Sequence, residues 1–391
     1  MSTPDQPTRT WPDPAGSAPA RLAVLVLPAL LMAGLSLARF WPELNLPFTP
    51  DPGDDWTFYH QRALEVLAGQ WWLPGVAGAY TVPAGFLYIY FLAGCYALIG
   101  APLPAWVYVI QGGLLGLSLG LIFLAFRRGL SPLARAVLLA ALLVFGYLDM
   151  ERHYVGRLLS ENLLLFLAAL HLHLLLLGVR EDKPWARVLA LALLGPLYLC
   201  RPNLMFYAPL PVIWLALRHR PPHLLREAGL AALMAGAALF CLAWRNHAAG
   251  GGWTVFPPIP WHLAVDNHLP TPWHWLDHPL EVARSLGLRA LYALGLMPLM
   301  QPQFQWRPHW VAMWAAYVGV IILRRRRRGA APSPELGLLH LYLAGYLLPI
   351  IGLAFITNYG FRFLVAGVLP AIAGAARIVD LLRPAHRTGQ A

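Results

Sequence analysis

At 391 residues, 58% of them hydrophobic and only 12% charged, with a mean hydropathy of +0.55, the chain is too apolar for a soluble domain of its size. The net charge of +11 does not mark a nucleic-acid binder, because the cations are dealt out loop by loop instead of gathered on one soluble stretch. Cys95, Cys200 and Cys241 lie in or at the ends of apolar segments and offer neither a disulfide framework nor a metal-ligand spacing.

The expected architecture is an all-α polytopic transmembrane bundle. Residues 1–21 read as a polar, Pro-rich cytoplasmic tail, and 22–40 as an uncleaved first span, long enough for a hydrocarbon core of about 30 Å. Further spans are predicted near 105–126, 133–149, 161–178, 187–200, 204–217, 227–244, 308–323, 336–354 and 363–382, about ten in all, with 383–391 as a second cytoplasmic tail. The threading comes from placing five basic clusters on one side. They are Arg127, Arg128 and Arg135; Arg180, Lys183 and Arg187; Arg218, Arg220 and Arg226; Arg324 to Arg328; and Arg383 with Arg387. A crossing by Pro83 to Gly100 would invert every later cluster. That segment is therefore predicted to be re-entrant or interfacial within a long outer loop, 41–104, and Leu286 to Met300 is read the same way. No internal repeat is visible and no soluble domain is expected after the last span, so chemistry falls to outer loops and span ends.

Asp54 and Asp55 open a polar stretch just beyond the first span, running through Trp56, Tyr59, Arg62, Ala63 and Glu65 to Gly69. A carboxylate beneath a lipid-facing cavity can take the proton of an attacking hydroxyl, and partial desolvation would raise its basicity. The same position also fits a helix cap with a favourable dipole interaction. The next outer segment, Asp149 to Asn162, is dense in polar residues. Arg152 and Arg157 can neutralise a phosphate, while Asp149, Glu151 and Glu161 can bind metal, position a sugar or pair with those arginines. The plainer reading is an interfacial salt-bridge patch in which Ser160 to Asn162 cap the next helix.

Arg201, before Pro202 and Asn203, and Arg362, between Phe361 and Phe363, are isolated cations at span ends. Each suits either phosphate recognition or snorkelling to lipid headgroups, with snorkelling the slightly preferred reading for Arg201 and phosphate recognition for Arg362. After Arg245, Asn246 and His247 comes a segment holding His262, Asp266, His268, His274, Asp277 and His278. These are suitable metal-ligand types, but their spacing matches no strict zinc motif, and ordinary polar contacts are the first expectation. Trp253, Trp261, Trp273 and Trp275 read as an interfacial belt before they read as a sugar-stacking surface.

These features resemble, in order, those of the GT-C membrane glycosyltransferases, which take sugars from polyprenyl phosphate carriers. They are the acidic pair with Tyr59, Ala63 and Gly69 at their spacing, the polar second loop, Arg201-Pro202, Arg245-Asn246 and the Arg362 segment. The layout is similar to that of protein mannosyltransferases and lipid A aminoarabinose transferases, without their soluble C-terminal portion. It departs from the pattern at His247, where an aromatic is common, and in the run Pro257-Pro258-Ile259-Pro260. The resemblance implies a GT-C-like bundle in the bacterial inner membrane with its active site on the periplasmic or extracellular face. It further implies inverting transfer to an envelope lipid, glycan or protein, with Asp55 as base beside Asp54. Arg362, Arg201, Arg152, Arg157, Glu151, Tyr59, Arg245 and Asn246 would then surround the donor's phosphate and sugar. No metal site is assigned; a divalent ion stays open, because relatives with pyrophosphate carriers require one and monophosphate users generally do not.

One acidic pair with scattered arginines suits a transferase better than a glycosidase, which needs an acid and a base or nucleophile around the bond. The alternatives are a transporter or flippase, with ionisable groups and broken helices at the midplane and internal repeats, or an assembly factor indifferent to both aspartates.

Overall fold

The computed structural model describes residues 17–49, 55–71, 85–201, 207, 209–219, 224–248, 253, 279–280, 307–326, 334–353 and 360–382. Among these every regular element is a helix. They are α1 (Ala18–Phe40), α2 (Asp55–Leu67), α3 (Phe86–Ile99), α4 (Pro104–Phe126), α5 (Pro132–Phe145), a π-helical segment (Gly146–Val155) and α6 (Glu161–Arg180). There follow α7 (Pro184–Ala192), α8 (Leu194–Cys200), α9 (Pro209–His219), α10 (Leu224–Ala248), α11 (Pro308–Arg326), α12 (Pro334–Leu353), α13 (Gly360–Ala375) and α14 (Ile378–Leu382). Helices stand at each predicted span. Among the described residues five helical stretches are long and apolar enough to cross a membrane: Ala18–Glu43, Pro104–Phe126, Pro132–Glu151, Glu161–Arg180 and Leu224–Arg245.

The seam between α1 and α4 orients the bundle. Gly112, Gly116 and Gly120 line one stripe of α4, and a Cβ at these positions would strike Ser36 Oγ, the Pro28 carbonyl and the Val24 carbonyl respectively. Backbone therefore packs on backbone, the arrangement that small residues permit between helices in lipid. Because residue 36 faces 112 and residue 24 faces 120, the two helices are antiparallel.

Ion pairs mark the end where α4 finishes. Arg128 and Lys183 both reach Glu181 at 2.6 Å, and Arg180 meets Glu335 at 2.7 Å. Arg187 meets Glu227 at 2.9 Å, and the Ser131 N–H donates to Asp380. Residues of four of the five basic clusters are described, and those of the first two gather here. At the opposite end lie Phe40, Leu44 and Ala105, packed together, with Arg39, Arg157, Glu161 and Arg201.

Both ends of α3 belong to this second end. Gly85, with φ of 95°, sits against Tyr59 of α2 and Ser160, while the chain after Gly100 enters α4 beside Phe40. A side chain at Gly85 would press on the Tyr59 hydroxyl, and the left-handed backbone there favours glycine in any case. The segment 86–99 thus starts and finishes at one end of the bundle.

Two expected elements differ. The span drawn at 187–200 is broken at Leu193 into α7 and α8, because Pro196 has no N–H for the Ala192 carbonyl. The buried His171 ring reaches the Ala190 carbonyl at 2.7 Å, so the break is held from α6. The second outer loop begins as helix: α5 widens at Gly146 into the π-helical turns instead of ending in an irregular connection.

Candidate functional site

The π-helical segment carries the polar core of the second end. Wide turns of this kind are frequent at functional sites because they re-aim side chains that an α-helix would place elsewhere. Asp149 and Glu151 are both buried. A buried carboxylate is tolerable only when it is paired and hydrogen-bonded, and each finds its partners on another element.

Asp149 is reached by three donors from the start of α11. Arg307 donates to Oδ1 at 3.1 Å, His309 Nε2 to Oδ2 at 2.7 Å and the Trp310 indole N–H to the same Oδ2 at 3.1 Å. Glu151 meets Arg39 from the end of α1: the guanidinium donates to the Glu151 carbonyl at 2.8 Å and lies 3.3 Å from Oε2. Oε1 of Glu151 has no partner among the described residues. At the start of α6, Glu161 forms a buried pair with Arg201, which closes α8.

The neighbouring backbone is fixed by amides. Gln111, fully buried in α4, donates to the carbonyls of Val155 and Arg157, both at 2.9 Å, and accepts from the Tyr88 hydroxyl at 2.8 Å. Asn162 donates to the Tyr154 carbonyl at 3.2 Å. Ser160 stands at the N-terminal boundary of α6 without capping it: the buried hydroxyl bonds no helical N–H.

Helix α2 leans on this core. The Arg157 guanidinium lies 4.9 Å from the centre of the Trp56 ring, a cation–π contact. Tyr59 is buried edge-on against Tyr88, and His60 stacks on Phe48 and meets the Tyr96 hydroxyl at 2.8 Å. Burial lowers the basicity of the His60 imidazole.

The sequence-derived residues are placed as follows. Asp55 is the first residue of α2 and is exposed; its position in the first turn fits the dipole reading. Asp54 lies outside the described residues. Arg201 corrects the snorkelling preference, since it is buried against Glu161 and does not reach outward. Arg157 is exposed over Trp56, and Glu151 and Tyr59 are buried. Arg245 is buried at the end of α10, within electrostatic range of Tyr90 and Arg62. Arg152, Asn246 and Arg362 have placed backbones, in the π-helical segment, the last turn of α10 and the first turn of α13; their side chains, and the histidine-bearing segment 262–278, lie outside the described residues. Within the described residues, His247 stacks on Trp253 at 4.6 Å.

The acids of the second loop do not converge. Each takes its own arginine, and among the described residues no three His, Cys, Asp or Glu side chains gather as a metal-ligand set. Sequence reasoning missed Arg39, Gln111, Arg307, His309 and Trp310. The readable signal was a lone amide inside an apolar span and cations at span boundaries, each unexplained by its own element. Compared with family models, curated proteins and solved structures, the chain finds no match.

Proposed function

We propose that this chain is an integral membrane glycosyltransferase that moves a sugar from a polyprenyl monophosphate donor to an envelope lipid, glycan or protein, with inversion at the anomeric carbon. The observation that carries the reading is the one-ended burial of Asp149, Glu151 and Glu161 with arginines from three other elements, in contact through Arg157 and Trp56 with the helix that Asp55 begins. Polar groups so costly to bury in a membrane protein are functional candidates by default. Their position at one end suits a reaction at the membrane surface, where a lipid-linked phosphate and a water-borne acceptor meet.

In this reading the chain crosses about ten times with both tails on the basic side, and 86–99 stays on the reaction side. The acceptor oxygen attacks the anomeric carbon while polyprenyl phosphate departs toward arginines, which stabilise the developing phosphate charge. The resemblance gives the base's part to Asp55 and a phosphate-binding part to Arg362. If Arg362 meets the phosphate through its planar fork, Arg362→Lys lowers affinity for polyprenyl phosphate, whereas a headgroup anchor tolerates the exchange.

Mass analysis of envelope glycans and polyprenyl lipids after deletion tests the function. The expected result is loss of one sugar substituent with accumulation of its polyprenyl phosphate donor; an unchanged profile of both counts against the proposal. A flippase reading draws on the break at Leu193 beside buried His171. It predicts instead a sugar lipid that is still made but accumulates, unconsumed, on the leaflet where it is made.

A further inference from the structure

Asp149 and His309 are joined in a geometry that the transfer reaction has not yet used. The Asp149 carboxylate is buried and accepts from Arg307, His309 and Trp310, so it is acceptor-only at this site. A carboxylate can only accept from His309 Nε2–H, and whenever the ring is neutral that tautomer leaves the lone pair on Nδ1. Nδ1 makes no hydrogen bond to the described residues, and the side chain is 32% exposed while its partner carboxylate is 3% exposed. The Nε2 side of the ring is thus anchored in the bundle, and no described residue takes the other nitrogen. The ring is also fixed in direction, because Trp310, one residue on, is buried and donates to the same carboxylate oxygen.

We infer that Asp149 and His309 form a proton-accepting dyad, with His309 the base and Asp149 the residue that positions it, and that its substrate is a hydroxyl nucleophile at this end of the bundle. Within the transfer reaction proposed above, on which this rests, the acceptor O–H gives its proton to Nδ1 as the oxygen bonds the anomeric carbon. The bond from that carbon to the phosphate oxygen breaks, and its electron pair leaves with the polyprenyl phosphate. Asp149 holds the ring in the productive tautomer and stabilises the imidazolium as it forms. Imidazole is the side chain whose ordinary pKa suits proton transfer near neutral pH. Among the described residues the charged groups in contact with the pair are each other and Arg307, and the Arg39–Glu151 ion pair is the next along the π-helical segment.

Full-length protein in nanodiscs, supplied with short-chain polyprenyl monophosphate hexoses and water as acceptor, tests the assignment by release of polyprenyl phosphate. His309→Gln is expected to lose about 10²- to 10⁴-fold in kcat with little change in KM. Free imidazole should restore part of the rate of His309→Ala. The dyad has a second readout independent of turnover: the rate of peptide-resolved acylation of His309 by diethyl pyrocarbonate at one pH, which is expected to change several-fold in Asp149→Asn because the ring loses the carboxylate that fixes its tautomer. Wild-type turnover in His309→Gln, with loss confined to Asp55→Asn, overturns the assignment and leaves transfer with Asp55 as base. If the wild type releases no phosphate from any hexose, the transfer reading fails, and an acylation rate of His309 unchanged by Asp149→Asn then overturns the dyad as well.

Discussion

The two ends of the bundle use ion pairs differently. At the basic end Glu181 collects Arg128 and Lys183 at a turn, and Asp182 reaches Arg187 from a side chain that is 94% exposed; among the described residues the Arg187–Glu227 pair there is deeply covered and the Arg180–Glu335 pair mostly so. At the other end Asp149, Glu151 and Glu161 are all sealed, and each is matched by an arginine or a donor set from a different helix. Exposed pairs cost little and contribute little, whereas a buried pair contributes little while intact and is very costly to break. The first pattern serves helix ends on the side where cations collect. The second is maintained against a desolvation penalty, which is why function is assigned to that end.

Breaking one member of each kind of pair gives the sharpest contrast. Arg201→Ala is expected to destabilise by about 3–5 kcal/mol, because the buried Glu161 loses the guanidinium it is paired with. Thermal unfolding in one detergent should show it directly. Loss similar to that of a surface variant would mean that Glu161 is not held as an ion. Gly116→Val should cost about 1–3 kcal/mol or more, through collision with the Pro28 backbone, and should disturb both ends alike, because the α1–α4 seam joins them. Gly113→Ala, whose Cβ meets only Ala33 at 3.9 Å, is the matched control and should melt as the wild type does. At the basic end Lys183→Ala is expected to change stability by about 0–1 kcal/mol.

Acid should separate the ends without mutation. His60 binds its proton less readily when docked than when free, so the fold of α2 on α3 keeps its full stability above the ordinary imidazole value of 6.5 and loses it as pH falls below that value. Glu181 is held below its ordinary value of 4.5, chiefly by its hydrogen bond to Lys183, so its contribution is present above 4.5 and fades as pH falls through the lowered value. Hydrogen exchange resolved by peptide should therefore rise in 55–67 before it rises in 176–190. The reverse order, or simultaneous opening, would remove the distinction between the ends.

Much of the helical layout was legible in sequence because apolar runs of about 20 residues have one stable solution in lipid. The basic clusters led to 83–100 being read as re-entrant or interfacial, and in the structure both ends of α3 lie at one end of the bundle. What sequence could not supply was pairing across elements. Nothing near Asp149 in the chain points to Arg307, His309 and Trp310, more than 150 residues away. Arg201 read as a snorkelling cation because Glu161, its partner, begins a different helix. The widening at Gly146 was hidden for a related reason: a π-turn keeps helical hydrophobicity and changes only where side chains point.

If the transfer proposal holds, the buried-carboxylate end is where a sugar leaves its polyprenyl phosphate. The most direct measurement is release of polyprenyl phosphate from a panel of polyprenyl monophosphate sugars by the full chain in nanodiscs, with Asp55→Asn combined with His309→Gln at one end and Lys183→Ala at the other. The prediction is turnover by the wild type with at least one sugar, retained in Lys183→Ala and reduced by about 10²-fold or more in the double variant. No release by the wild type from any donor, or equal rates in all three proteins, would contradict it.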